Sequence, residues 1–162
     1  MGQLKYPVSQ KNDTKDNYHG TAIADPYRWL EDDNSEATHQ WVVAQNQVTN
    51  AYLANIPFRN AIKERLATLW NYPKYGSPSK EGEFYYFFKN DGLQNQSILY
   101  RQKGLNGTPE VFIDPNSFST DGTIALGGQS FSKKATYMTY LIAKSGSDWQ
   151  EAIIRDLSTN RN

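Results

Sequence analysis

The chain has 162 residues, 17 basic and 17 acidic side chains for a formal net charge of zero, and no cysteine. That length fits one ordinary domain, and the neutral balance argues against a phosphate backbone or an anionic membrane as partner, since both select a basic surplus. The missing cysteines exclude disulfides and thiolate metal sites, and no apolar stretch approaches the roughly 20 residues that span a bilayer.

Residues 1–34 read as an extended, polar leader. Its start, Met1 to Pro7, has no apolar stretch of the signal-peptide kind. Gly2 raises myristoylation, but Tyr6 stands where that motif takes Ser or Thr. The expected setting is a soluble cytoplasmic protein. Pro7 and Pro26 hold the residues before them extended, and His19-Gly20 is a turn candidate. A first helix is expected from about Ser35, with Asn34 or Ser35 as cap and Glu36 at the positive helix end. Trp41, Ala44, Gln45, Val48, Tyr52 and Asn55 recur at helical spacing, and Pro57 stops the pattern. A second helix runs from about Phe58 to Trp70 with Phe58, Ile62, Leu66 and Leu69 on one face. Both stripes are expected to dock on a surface outside the chain.

After Tyr72-Pro73 the periodicity switches to strands. The aromatic share of 14% suits half-exposed strands, where a Tyr buries its ring and keeps its hydroxyl wet. A short strand is expected near Tyr75–Ser79, then strands at Glu83–Lys89, Ser97–Gln102 and Glu110–Asp114. Asn90-Asp91-Gly92 is a turn signal because Asp-Gly tolerates positive φ. The pattern then repeats at an offset of about 53 residues, near the upper end of propeller-blade periods. Ala125–Phe131, Tyr137–Ala143 and Glu151–Asp156 are the second set. A blade has four strands, and the fourth of this set falls past Asn162.

Few residues offer chemistry. A nucleophile elbow needs a Gly-x-Ser-x-Gly-like turn between strand and helix. Gly128-Gln129-Ser130-Phe131-Ser132 has the wrong last residue and lies in a strand, and Ser145-Gly146-Ser147 reads as a hairpin turn. The two histidines, His19 and His39, sit in the leader and the first helix, where a surface role outweighs a base held in a triad. Glu31-Asp32-Asp33 precedes a helix and is better explained by helix-start electrostatics than by metal binding, which needs ligands converging from several elements. No catalytic, cofactor-binding or metal-ligating residue is assigned.

Three stretches carry a resemblance. Asp25-Pro26-Tyr27-Arg28-Trp29-Leu30-Glu31-Asp32, Leu69-Trp70-Asn71-Tyr72-Pro73-Lys74-Tyr75-Gly76 and Asn90-Asp91-Gly92-Leu93-Gln94-Asn95-Gln96-Ser97-Ile98-Leu99-Tyr100 resemble, in order and spacing, the N-terminal portion of the prolyl oligopeptidases. These are serine peptidases that cut short peptides after proline. The resemblance implies an α+β fragment. Residues 1–72 would be the helical segment that packs on an α/β-hydrolase peptidase domain. Residues 73–162 would be the first blade and most of the second blade of a seven-bladed β-propeller. It also implies that the family's catalytic serine, aspartate and histidine lie beyond Asn162, so the chain alone is expected to be inactive. Short proline-containing peptides are then the substrates of the full-length enzyme, and the peptidase domain is the packing partner. The alternatives are a non-catalytic interaction protein using exposed propeller strands and, last, a complete small hydrolase. One departure stands out: Phe131-Ser132-Lys133-Lys134-Ala135-Thr136-Tyr137 replaces the family's Phe-Ser-x-Asp-Gly-x-Tyr, putting Ala where a Gly eases positive φ.

Overall fold

The computed structural model describes residues 4–162, so the Gly2 reading lies outside the described residues. The chain divides into two compact units, Met1–Glu64 and Arg65–Asn162. No helix among the described residues is long and apolar enough to cross a membrane.

In the first unit the leader is more ordered than its polar sequence suggests. Strands β1 (Lys15–Tyr18) and β2 (Thr21–Ala24) pair antiparallel around His19-Gly20. Both turn residues take positive φ, 53° and 88°, the pattern that matches the twist of a two-residue hairpin. A 3-10 turn follows at Arg28–Glu31. Helix α1 (Glu36–Ala54) starts at Ser35, whose hydroxyl accepts from Thr38 N at 3.2 Å. Trp41, Ala44, Gln45 and Val48 are half-buried as their spacing predicts. The leader reaches two of them: Trp41 Nε1 donates to Ser9 Oγ at 2.8 Å, and Gln45 Nε2 to Pro7 O at 3.4 Å. The leader thus meets part of the α1 stripe, while Tyr52 farther along it stays 44% exposed. The leader's polar backbone and two prolines hid a strap.

Helix α2 (Arg59–Trp70) runs on from the first unit into the second. Its stripe does stay open, with Phe58 62%, Ile62 50%, Leu66 50% and Leu69 48% exposed.

The second unit holds two sheets. In the first, β3 (Lys74–Tyr75) and β4 (Ser79–Glu81) both pair with β5 (Phe84–Asn90), which pairs with β6 (Ile98–Lys103), which pairs with β7 (Glu110–Ile113). The expected short first strand is thus two pieces on one neighbour. The second sheet has the order β10-β9-β8, from β8 (Ala125–Phe131), β9 (Tyr137–Ala143) and β10 (Gln150–Asp156). A 3-10 turn at Pro115–Ser117 sits in the loop that links the two sheets.

The 53-residue repeat is a repeat of register. Phe84 pairs with Lys103 and Lys89 with Ile98; the same pairs shifted by 53 are Tyr137 with Asp156 and Ile142 with Glu151. The core lies between the sheets. Tyr86 and Phe112 of the first meet Phe131, Met138 and Tyr140 of the second, with Tyr86 centred 5.2 Å from Phe112 and 4.6 Å from Phe131. Met138 and Tyr140 are the repeat equivalents of Tyr85 and Phe87, which lie on the face of β5 opposite Tyr86. Like units therefore stack front to back, which is how blades follow one another.

Candidate functional site

The residues with chemical potential are divided between the two units. Both histidines of the chain belong to the first unit, His19 on the β1–β2 turn and His39 in the first turns of α1, both exposed. The two serines weighed as nucleophiles belong to the second. Ser130 is exposed in β8 opposite Thr139, and Ser147 accepts from Trp149 N at 3.1 Å. Ser145 and Gly146 take φ of 52° and 74° and close the β9–β10 hairpin as its sequence indicates. Ser132 Oγ accepts from Thr136 N and Tyr137 N, both at 3.0 Å, and so holds a turn. Asp32 Oδ1 accepts from Asn34 N at 3.2 Å and its carbonyl accepts from Ser35 Oγ at 3.0 Å, which leads the backbone into α1. Among the described residues no three His, Asp or Glu side chains form a metal-binding group.

The three signature stretches have structural work instead. In the first, Arg28 meets three carboxylates: Asp16, Asp25 at 2.8 Å and Glu31 at 3.4 Å. The planar guanidinium fork suits such multiple recognition, and here it ties the β1–β2 hairpin to the following turn. In the second, Lys74 Nζ donates to Trp70 O and to Gly92 O, each at 2.8 Å, and lies 4.7 Å from the Tyr72 ring centre. It satisfies a carbonyl that the end of α2 leaves free and fastens that end to the loop after β5.

In the third stretch the buried Asn90 shapes the loop, donating to Gln94 O at 3.0 Å and accepting from Gly92 N at 2.9 Å. Gly92 is required by proximity as well as by its φ of 142°, since a Cβ there would lie 2.3 Å from Asn71 Oδ1. Gln96 then crosses to the second sheet. Its Nε2 donates to Ile124 O at 2.6 Å and its Oε1 accepts from Leu126 N at 3.1 Å. Asn116 holds its backbone from both sides, at 2.9 and 3.0 Å. Neither Lys74 nor the Gln96–Asn116 clasp stood out in the sequence, because amides in a turn-rich loop look like solvated loop residues.

Two surfaces remain open. The end of α2 and the loop after β5 line a groove of about 500 Å³ with Leu66, Ala67, Trp70 and Leu93. Leu93 and Trp70 are 58% and 60% exposed. The second surface is the far edge of β10, paired among the described residues at Asp156 alone, through an antiparallel bridge to Arg161. Asp156 also shapes the turn before that bridge, accepting from Ser158 Oγ at 2.6 Å, Ser158 N at 2.8 Å and Thr159 N at 3.0 Å. These bonds, the Ser158 hydroxyl first, hold its carboxyl below the usual carboxylate value.

The family model described as the prolyl oligopeptidase N-terminal beta-propeller domain matches residues 6–162. The chain belongs to the prolyl oligopeptidase family. A prolyl endopeptidase of Elizabethkingia miricola is 51% identical over 158 residues, covering 98% of this chain and 22% of that protein. A solved prolyl endopeptidase superposes with a TM-score of 0.82 at 29% identity, over 97% of this chain and 23% of its own. Prolyl oligopeptidase B of Galerina marginata, solved with a 35-residue hydrolysis and macrocyclization substrate, gives a TM-score of 0.73 at 28% identity, over 98% of this chain and 24% of its own. The chain thus spans about a fifth of the length of the relatives it matches. Its sheets and two helices are those of the N-terminal β-propeller domain, as its three signature stretches imply.

Proposed function

We propose that this chain is the N-terminal part of a serine endopeptidase that cleaves short peptides on the carboxyl side of proline. In this reading residues 1–72 are the helical segment that packs on the peptidase domain, and residues 73–162 are the first blade and most of the second. The 51% identity to a prolyl endopeptidase across 98% of the chain carries the reading. The geometry supports it at two points. The apolar stripe of α2 is half-exposed or more along its length, as a helix bound for another domain would be. The repeat of register by 53 residues, with like faces stacked front to back, is the arrangement of successive blades.

By itself the chain hydrolyses no peptide in this reading. Its candidate serines serve turns and a strand. The test is a transplant. Residues 1–162 replace the matching stretch of the Elizabethkingia miricola enzyme, and the chimera and the isolated chain are assayed on a chromogenic Gly-Pro peptide. Turnover by the chimera alone is the expected outcome. A folded chimera without activity, or turnover by the isolated chain that Ser130→Ala or Ser147→Ala abolishes, overturns the proposal.

A further inference from the structure

The chain has a single Asn-Gly pair, Asn106-Gly107, in the turn between β6 and β7. An asparagine side chain can be attacked by the backbone nitrogen of the residue after it, closing a five-membered ring. Glycine is the most favourable second residue, because no side chain hinders the approach. The attack needs two freedoms: a side chain that can swing onto that nitrogen, and an N–H that no acceptor holds.

Asn106 and Gly107 have both. Asn106 is exposed, and among the described residues neither its side-chain amide nor Gly107 N has a hydrogen-bond partner. Other groups shape the turn. Gln102 Nε2 donates to Gly104 O at 3.1 Å and to Leu105 O at 3.0 Å, and Gly104 N donates to Glu83 O at 3.0 Å. Strands β6 and β7 pair across it, with Arg101 opposite Glu110 and 2.6 Å from its carboxylate. The hairpin that presents Asn106 is therefore complete within the chain.

The Asp-Gly and Asn-Ser pairs, which can close the same ring, lack these freedoms. After Asp91, Gly92 N donates to Asn90 Oδ1 at 2.9 Å; after Asp121, Gly122 N donates to Ser119 O at 3.4 Å. Asp121 Oδ1 is itself engaged by Thr123 N at 3.0 Å. After Asn34 and Asn116, Ser35 N and Ser117 N donate to Asp32 O and Asp114 O, both at 3.2 Å. Both amides of Asn34 and Asn116 are also occupied, by Asp33 at 3.1 Å and by Gln96 O at 3.0 Å.

We propose that Asn106 is a site of spontaneous deamidation, selected by the fold from among these pairs. Gly107 N gives up its proton and bonds to Asn106 Cγ, the Cγ–Nδ2 bond breaks, and ammonia leaves with that proton. Water then opens the ring. Breaking the new Cγ–N bond leaves an aspartyl residue at 106. Breaking the bond from that nitrogen to the main-chain carbonyl carbon leaves an isoaspartyl residue, whose main chain runs through Cβ and Cγ. Water is the sole co-reactant. The isoaspartyl form lengthens the main chain of a turn with little spare room, since a Cβ built on Gly107 would overlap Lys103 O. Either product adds a negative charge to a chain of formal net charge zero. The inference rests on this turn and stands apart from the catalytic reading.

The experiment holds the 162-residue chain at neutral pH and physiological temperature, folded or in urea, and samples it over weeks. Peptide mapping reads the mass gain of an amide turned into a carboxylic acid. Electron-transfer fragmentation, which splits the Cα–Cβ bond of an isoaspartyl residue, separates the two products. In the folded chain the gain is expected at Asn106, with Asn34 and Asn116 unchanged and no isoaspartyl at Asp91 or Asp121. In urea Asn34 and Asn116 should convert as well. Asn106→Gln, at an exposed position, should lose the gain because its ring would be one atom larger, and the acidic band that grows on isoelectric focusing should vanish with it. Asn106 left unchanged in the folded chain overturns the proposal. So does conversion of Asn34 or Asn116 in the folded chain at the rate seen in urea, or an acidic band that persists in Asn106→Gln.

Discussion

Gly82 and Ala135 hold the same place in the two 53-residue repeats, and they face one another. Both are left-handed, at φ 61° and 49°, and a Cβ built on Gly82 would stand 3.1 Å from Ala135 Cβ. Ala135 N donates to Ser132 O at 2.8 Å, closing a four-residue turn whose last residue must go left-handed. The departure seen in the sequence, Lys134-Ala135 for Asp-Gly, therefore keeps the turn and accepts the strain of a side chain at positive φ.

Releasing that strain should stabilise the protein. A left-handed non-glycine residue costs roughly 1–2 kcal/mol, and glycine's extra freedom when unfolded takes back part of the gain. Ala135→Gly is expected to add about 0.5–1 kcal/mol, read as a higher midpoint in urea. Gly82→Ala should lower the midpoint, because it adds the same strain and a tight contact with Ala135.

The Gln96 clasp makes a sharper claim. Gln96→Ala leaves Ile124 O and Leu126 N without their side-chain partner where the two sheets join. Partly buried groups deprived of a partner cost about 1–3 kcal/mol. The urea midpoint should fall accordingly, and amide exchange at Leu126 should quicken more than at Met138 in β9. Equal quickening at both would place the effect in global stability instead.

Lys74→Met keeps the length of the side chain and removes its charge and donors. Two hydrogen bonds to Trp70 O and Gly92 O disappear, and with them the tie between the end of α2 and the loop after β5. A loss of roughly 1–2 kcal/mol is expected. The last turn of α2 should fray, and amide exchange at Asn71, which donates to Ala67 O, reports it.

The two helical stripes should respond in opposite ways. Leu66→Glu in the isolated chain falls on a half-exposed position, so its effect should stay within about 0.5 kcal/mol. Trp41→Ala removes a half-buried ring and its bond to Ser9, and should cost roughly 1–3 kcal/mol. Thermal melts of the two variants side by side make the comparison.

Acid should open the turn after β10. Asp156 has its carboxyl lowered in the folded chain, so the ionised form is favoured by folding. The stabilisation is complete above the ordinary carboxylate value of 3.8 and is lost as pH falls through the lower folded value. Amide exchange at Ser158 and Thr159 should therefore rise on acidification below that value, and Asp156→Asn should show the loose turn already at neutral pH.

The sequence alone determined the two helices, the strands from Phe84 onward, the 53-residue repeat and the family. These rest on local or periodic signals: a capping serine, apolar residues three and four apart, Asp-Gly turns, alternating aromatics. Ser130 and Ser147 also stand in the sequence without the Gly-x-Ser-x-Gly neighbours of a nucleophile elbow. The tertiary structure decided what each open surface meets. The leader's grip on α1 and on the turn before it is not legible in the sequence, because it is made by Pro7 O and Ser9 Oγ toward α1 and by Gln10 O toward Trp29, groups without hydrophobic pattern. The same kind of apolar stripe is strapped on α1 and bare on α2, and no periodicity tells those apart, since it states which face is apolar and never what covers it. The roles of Lys74, Gln96 and Asn116 are hidden for the same reason, although the first two lie in the signature stretches. Their role lies in carbonyls and amides brought near by the fold, from 4 to 30 residues away along the chain.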